Sequence, residues 1–86
     1  MTLRFSLRQL EYFQAVAERG LIVAASESVS VSSPSISAVI SQLEEEFGIQ
    51  LFVRKHAQGL TLTPGAAQFL IQVRRILQDA AKLNGR

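Results

Sequence analysis

Apolar residues in the first part of the chain recur at intervals of three and four, which is the spacing of one face of an α-helix. Ser6 and Gln9 flank the start of this pattern with the spacing of a capping box, and Gly20 follows its end. The pattern therefore predicts a first helix that begins after Ser6 and ends at Gly20. Its apolar face consists of Leu10, Phe13, Val16 and Ala17.

Two further short amphipathic patterns fill the stretch from Ile22 to Phe47, and the short segment 29–32 separates them. Ser32 is predicted to cap the start of the later helix, since serine is a preferred N-cap and Pro34 is tolerated in a first helical turn. Gly48 is predicted to end that helix. Two short helices around a tight turn are typical of a helix-turn-helix. The apolar residues are Ile22, Ala25 and Val29 in the first helix, and Ile36, Val39, Ile40, Leu43 and Phe47 in the second.

After Gly48 the pattern changes to short extended segments, 51–54 and 60–62, around a polar tip at 55–59. Thr63 and Pro64 then signal a fourth helix that continues to about Leu83. The sequence thus predicts a mainly α fold: a winged helix-turn-helix of three helices and a two-stranded wing, followed by a long C-terminal linker helix. We assign residues 1–63 to the DNA-binding domain and residues 64–86 to the linker and dimerisation helix.

The fourth predicted helix carries a broad apolar seam with heptad-like spacing. One interpretation is a helix packed on its own domain. The interpretation we favour is that the seam also contacts a second chain. The predicted dimerisation residues are Ala66, Phe69, Leu70, Val73, Ile76, Leu77, Ala80 and Leu83.

The third helix would present small and polar side chains to solvent, which suits close approach to a DNA groove. Gln42 has the amide that can pair with adenine, but there is no Arg or Lys between Leu21 and Val53, so the common arginine–guanine contact is missing from this helix. The alternative is a solvated, serine-rich helix face. The candidate contact residues are Ser32, Ser33, Pro34, Ser35, Ser37, Ala38, Ser41 and Gln42.

Composition limits the remaining possibilities. The 86 residues carry a net charge of only +2, but Arg54, Lys55 and His56 form a basic cluster on the predicted wing, where they would suit phosphates or a minor groove. The chain has no cysteine, and its single histidine has no set of partners at metal-ligand spacing. We therefore predict no metal, cofactor, catalytic residue or membrane span, and consider an enzyme the poorest interpretation.

A series of short motifs runs in a fixed order from residue 7 to residue 67. In their joint order and spacing they closely resemble the N-terminal DNA-binding domain of LysR-type bacterial transcriptional regulators, and the fourth helix resembles the linker helix of that family. The motifs are Leu10, Glu11, Tyr12 and Phe13; Val16, Ala17 and Glu18; Ala24 and Ala25; Val31, Ser32 and Pro34; Ile36, Ser37 and Ile40; Leu43 and Glu44; Phe47 and Gly48; Leu51, Phe52 and Arg54; and Leu62, Thr63, Pro64 and Gly65.

The resemblance implies a cytoplasmic bacterial regulator that binds partly palindromic promoter DNA, with dimers built through the linker helix and often paired into tetramers. It implies a small-molecule effector bound by a large C-terminal domain that is absent from this chain. The groove-reading positions of the family fall on residues 33–35, 37 and 38, and its wing arginine falls on Arg54. Ala38 and Ser33 stand where the family usually has Arg and often has Gln. A rival hypothesis from another class is a helical protein-interaction module that uses the apolar fourth helix and never binds DNA.

Overall fold

A computed structural model describes residues 3–55 and 59–84 of the chain. These residues form four α-helices, a two-stranded antiparallel hairpin and a final 3₁₀ turn, in the order predicted for a winged helix-turn-helix with a long fourth helix. The elements are α1 (Leu7–Arg19), α2 (Ile22–Val29), α3 (Ser33–Phe47), β1 (Phe52–Lys55), β2 (Gly59–Leu62), α4 (Pro64–Ala81) and the 3₁₀ turn Lys82–Asn84.

The predicted signals at the starts of three helices are confirmed by hydrogen bonds. Ser6 and Gln9 form a reciprocal capping box at the start of α1. Ser32 Oγ accepts a hydrogen bond from the backbone N–H of Ser35, and Thr63 Oγ1 does the same for Ala66. These caps satisfy N–H groups that have no partner within their own helix.

The turn between α2 and α3 depends on one residue in an unusual conformation. Ser30 has a φ of 58°, in the left-handed region that a residue with a Cβ rarely adopts. Its N–H donates to the carbonyl of Ser26, and Val31 N–H donates to the same carbonyl. This closes α2 and lets α3 begin three residues after Ser30, which keeps the two helices in contact.

One hydrophobic core joins all four helices and the hairpin. At its centre the ring of Phe13 is fully buried, with centroid distances of 5.6 Å to Phe52 and 5.2 Å to Phe69. Helices and hairpin are therefore held by a shared set of apolar contacts. The buried apolar residues are Leu10, Phe13, Ala15, Val16, Ala25, Ile36, Ile40, Leu43, Leu51, Phe52, Ala66, Leu70 and Val73.

The hairpin differs by one residue from the strand boundaries predicted by the sequence pattern. Phe52 pairs with Leu62 and Lys55 with Gly59, so both strands are four residues long. Leu51, which was predicted to lie in the first strand, is buried before it. The reason is that its N–H donates to a side chain of α3 and its carbonyl accepts from Thr63, so neither group bonds to the opposite strand.

The fourth helix packs against its own domain along the first half of its length. Ala66, Leu70 and Val73 are buried in the common core, where intramolecular packing covers their side chains. Their assignment to a dimer contact stays a prediction. Phe69, Leu77 and Ala80 are half-buried, whereas Ile76 and Leu83 are exposed. The division of the chain at residues 63 and 64 stays a prediction, although the core crosses that boundary.

Candidate nucleic-acid interface

The outer face of α3 is small, polar and open to solvent. Pro34, Ser37, Ala38 and Ser41 are all exposed, and their spacing places them on one side of the helix. The opposite side carries the buried residues Ile36, Ile40 and Leu43. A helix with this distribution can approach a flat or grooved partner closely, because no large side chain projects from the outer face.

The serines at the start of α3 differ in their availability. Ser32 Oγ donates to Ser35 Oγ over 2.9 Å, so both hydroxyls take part in the helix cap. Ser33 is half-buried, and its hydroxyl donates to Ser26 Oγ over 3.3 Å, towards α2. Of the predicted serine contacts, Ser37 and Ser41 are the exposed ones beyond the cap.

Gln42 continues the outer face of α3 towards the start of α1. Its side chain is exposed, and its Oε1 accepts a hydrogen bond from Nε2 of Gln9 over 3.0 Å. A shallow polar groove lies at this junction, and Arg4, Glu45 and Glu46 complete its lining. The acidic residues therefore lie close to Gln42 rather than on a remote surface.

The hairpin brings two of the three predicted wing cations to its surface. Arg54 and Lys55 lie on β1 opposite Leu60 and Gly59, and both are exposed. His56 lies outside the described residues. Adjacent residues of a strand point to opposite faces, so Arg54 and Lys55 can contact two different groups of a polyanion.

The base of the wing is fastened to the helices at several backbone groups. Leu60 N–H donates to the carbonyl of Gly20 over 2.9 Å, at the turn between α1 and α2. Leu51 N–H donates to Glu44 Oε2 over 2.9 Å, and Thr63 N–H donates to the carbonyl of Leu51 over 3.1 Å. Glu44 thus connects α3 to the residue that precedes β1.

We expect the substitution Glu44→Ala to lower the free energy of unfolding by about 1–3 kcal/mol, because it leaves a buried backbone donor without its charged acceptor. Chemical denaturation monitored by circular dichroism measures this loss. Glu45→Ala is the matched control, since the neighbouring carboxylate is exposed and the charge change is the same. Equal stability of the two variants would contradict the role given to Glu44.

Sequence reasoning missed the structural roles of Gln9, Gly20 and Glu44 in this region. The capping-box spacing identified Gln9 as part of a helix start, but its contact with α3 joins residues 33 positions apart. The bond of Glu44 to the N–H of Leu51 joins α3 to a residue beyond its end, and the sequence pattern did not indicate it. Within the described residues, no group of three or more His, Cys, Asp or Glu side chains could hold a metal ion.

The model of a protein family, the bacterial regulatory helix-turn-helix proteins of the lysR family, matches residues 7–67. The chain belongs to the LysR family. Among its curated relatives, this LysR-family chain is 44% identical over 71 residues to the HTH-type transcriptional regulator TfdS of Cupriavidus pinatubonensis, a match that covers 83% of the chain and 24% of the relative. It is 46% identical over 70 residues to the HTH-type transcriptional regulator ClcR of Pseudomonas putida, a match that covers 81% of this chain and 24% of ClcR.

Solved structures agree with this assignment. The LysR-family chain superposes on the DNA-binding domain of CbnR, solved in a complex with DNA, with a TM-score of 0.88 and 40% identity over 95% of this chain and 93% of that one. It matches the DNA-binding domain of BenM in complex with benA site 1 DNA with a TM-score of 0.87 and 31% identity, covering 94% and 90%. The chain spans about a quarter of the length of the curated relatives it matches. No helix among the described residues is long and apolar enough to cross a bilayer.

Proposed function

We propose that this chain is the DNA-binding part of a transcriptional regulator. The observation that carries the proposal is the close match, at 40% identity, to a domain whose structure was solved with DNA bound. The exposed face of α3 and the exposed cations of β1 agree with it, because a groove-reading helix and a phosphate-binding wing are the two contacts this architecture makes. The names of the curated relatives are those of transcriptional regulators.

In the proposed complex, α3 lies in the major groove and the wing lies on the backbone or in the adjacent minor groove. Pro34, Ser37, Ala38 and Ser41 approach the bases, because they are exposed and small. Ser32, Ser33 and Ser35 hold the start of the helix and bring its N–H groups towards a phosphate. Arg54 and Lys55 bind phosphates, and the same role is proposed for His56.

Salt dependence tests this proposal. If a dimer neutralises about 6–8 phosphates, the logarithm of the affinity should fall with the logarithm of the salt concentration at a slope of about −5 to −7. Fluorescence anisotropy with labelled duplex DNA measures the slope. A slope near zero would contradict the proposal, and so would a failure to bind any duplex in a random library.

We also propose that two copies associate through α4, as part of a longer regulator in the bacterial cytoplasm that pairs dimers into tetramers and binds a small-molecule effector through a further domain. The apolar residues that α4 leaves exposed support the dimer. Ile76 keeps 42% of its surface exposed, and Leu83, in the 3₁₀ turn that follows α4, keeps 87%. Phe69, Leu77 and Ala80 of α4 are half-buried. Covering such residues with a partner removes apolar surface from water.

The substitution Ile76→Glu is expected to convert the dimer to a monomer while leaving the fold intact, since this side chain is outside the core. Light scattering measures the mass, and circular dichroism checks the fold. Gln78→Glu is the matched control, because it adds the same charge at an exposed position of the same helix. Val73→Glu is unsuitable here, since Val73 is only 1% exposed and the charge would be buried in the core.

The exposed apolar residues of α4 also favour a second candidate, a module that binds another protein and never DNA. Ile71, at 49% exposure, is a further exposed apolar residue of α4. One experiment distinguishes the two functions. Loss of DNA binding on charge reversal of the wing supports the regulator, whereas charge reversal that changes no DNA binding supports the protein-binding module.

A further inference from the structure

A chain of amide groups connects the start of α1 to the outer face of α3. The backbone N–H of Ser6 donates to Oε1 of Gln9 over 2.9 Å, and Nε2 of Gln9 donates to Oε1 of Gln42 over 3.0 Å. Gln42 lies one helical turn after Ala38, on the exposed part of α3. The helix cap of α1 is thereby in direct hydrogen-bond contact with a candidate DNA-reading residue.

The polarity of this chain follows from its first group. A backbone N–H can only donate, so the carbonyl oxygen of Gln9 must face Ser6 and its NH₂ group must face Gln42. An amide NH₂ group cannot accept a hydrogen bond, so Gln42 must turn its oxygen towards Gln9. The NH₂ group of Gln42 then projects away from α1, and both of its donors are directed to the surface of α3.

We propose that Gln9 is a positioning residue that fixes Gln42 as a hydrogen-bond donor towards DNA. Gln9 occupies one of the two lone pairs of the Gln42 oxygen, whereas the NH₂ group of Gln42 keeps both of its donors for DNA. Gln42 therefore favours acceptor atoms, which are O6 and N7 of guanine, N7 of adenine, O4 of thymine or a phosphate oxygen, and disfavours cytosine, whose major-groove edge offers an amino donor and no acceptor. This inference rests on the proposed DNA binding and names the chemistry that one of its residues recognises.

The charges around Gln42 favour a base edge over a phosphate as the source of the acceptor. Glu45 and Glu46 line the same groove as Gln42, and Arg4 offsets only one of these two negative charges. A phosphate that approached Gln42 would meet net negative charge, whereas a base edge is uncharged. A phosphate contact remains the other outcome that the experiment can reveal.

The substitution Gln9→Glu tests the inference, because it retains the bond from Ser6 N–H to residue 9 and reverses the direction of the bond between residue 9 and Gln42. The new carboxylate still accepts from Ser6 N–H, so the capping box and the melting temperature should be preserved. The carboxylate cannot donate a hydrogen bond to Gln42. The amide of Gln42 must therefore rotate so that its NH₂ group donates to that carboxylate and its oxygen faces the DNA. At one position of the site, selection from random duplexes should then shift roughly two- to tenfold towards cytosine, whose major-groove edge offers an amino donor and no acceptor.

Two comparisons distinguish this effect from added charge. Gln68→Glu adds the same charge at an exposed position of α4 and should leave the base preference unchanged. In a Gln42→Ala background, Gln9→Glu should have no further effect on preference, because the amide that it reorients is missing. An equal shift in both backgrounds would overturn the inference. A loss that is uniform across sequences and that disappears in the Gln42→Ala background would assign the donor to a phosphate and support the donor role.

The link is also measurable in the free 86-residue protein. The side-chain NH₂ resonances of Gln9 should shift in the nuclear magnetic resonance spectrum of the Gln42→Ala variant, since their acceptor is removed. Unchanged resonances would overturn the inference without bearing on DNA binding. Failure of the wild-type chain to bind any duplex would instead contradict the proposed function, while the shifted resonances would still establish the amide link.

Discussion

Reversing both exposed wing charges, with Arg54→Glu and Lys55→Glu together, is expected to weaken DNA binding by about 100-fold or more at about 0.1 M salt. Each protomer loses two cations that replace counterions on the duplex and gains two anions that repel it. The salt slope should therefore become shallower by about 2 per protomer. Anisotropy titrations at several salt concentrations measure both quantities.

A matched double reversal on α4 separates local from global charge effects. Arg75→Glu with Lys82→Glu changes the net charge by the same amount at two exposed positions. Lys82 follows an 18-residue helix, which puts it about 27 Å from the wing end of α4. This variant should bind DNA far better than the wing variant. Equal losses in the two proteins would show that the wing has no specific role.

The second large effect is expected in the core. Phe13→Ala should lower the free energy of unfolding by about 3–5 kcal/mol, because it removes a fully buried ring that contacts the rings of Phe52 and Phe69. A domain of this size has a total stability of roughly 4–13 kcal/mol, so much of the population of this variant should unfold on mild heating. Thermal unfolding should occur at least about 12 °C lower.

Phe47 provides the control for this prediction. It belongs to the same aromatic cluster, with its ring 4.9 Å from that of Phe69, but 36% of its surface remains exposed. Truncating it to alanine creates less internal cavity and should cost clearly less stability than Phe13→Ala. A larger loss at Phe47 would place the centre of the core elsewhere.

The course of the chain could be predicted from its sequence because its signals are local. Ser6, Ser32 and Thr63 each cap a helix within three residues of themselves, and Gly20 and Gly48 adopt positive φ where helices end. Such signals depend on backbone groups close in sequence, so a single sequence reveals them. The family resemblance added the order of the elements, and the comparisons confirm it.

Contacts between distant parts of the chain could not be predicted in the same way. The spacing of apolar residues in α4 is the same whether they contact their own domain or a second chain. Val73 and Ile76 were therefore predicted to lie in one seam, although of the two only Val73 is buried. The motif that contains Glu44 did not reveal its hydrogen bond, because the donor, the N–H of Leu51, lies beyond the end of α3. The pairing of Gln9 with Gln42 has no signature at all in the sequence.

The fastening of the wing base has a mechanical consequence. Because Gly20 bonds to Leu60, and Glu44 and Thr63 both bond to Leu51 at the start of the hairpin, movement of the wing relative to α3 would break these hydrogen bonds. In the proposed complex, the distance between the two DNA contacts of one protomer is therefore set by the protein. Where a binding site does not match that distance, the stiffness of the duplex determines the energetic penalty, and flexible base steps become an advantage even where no side chain touches them.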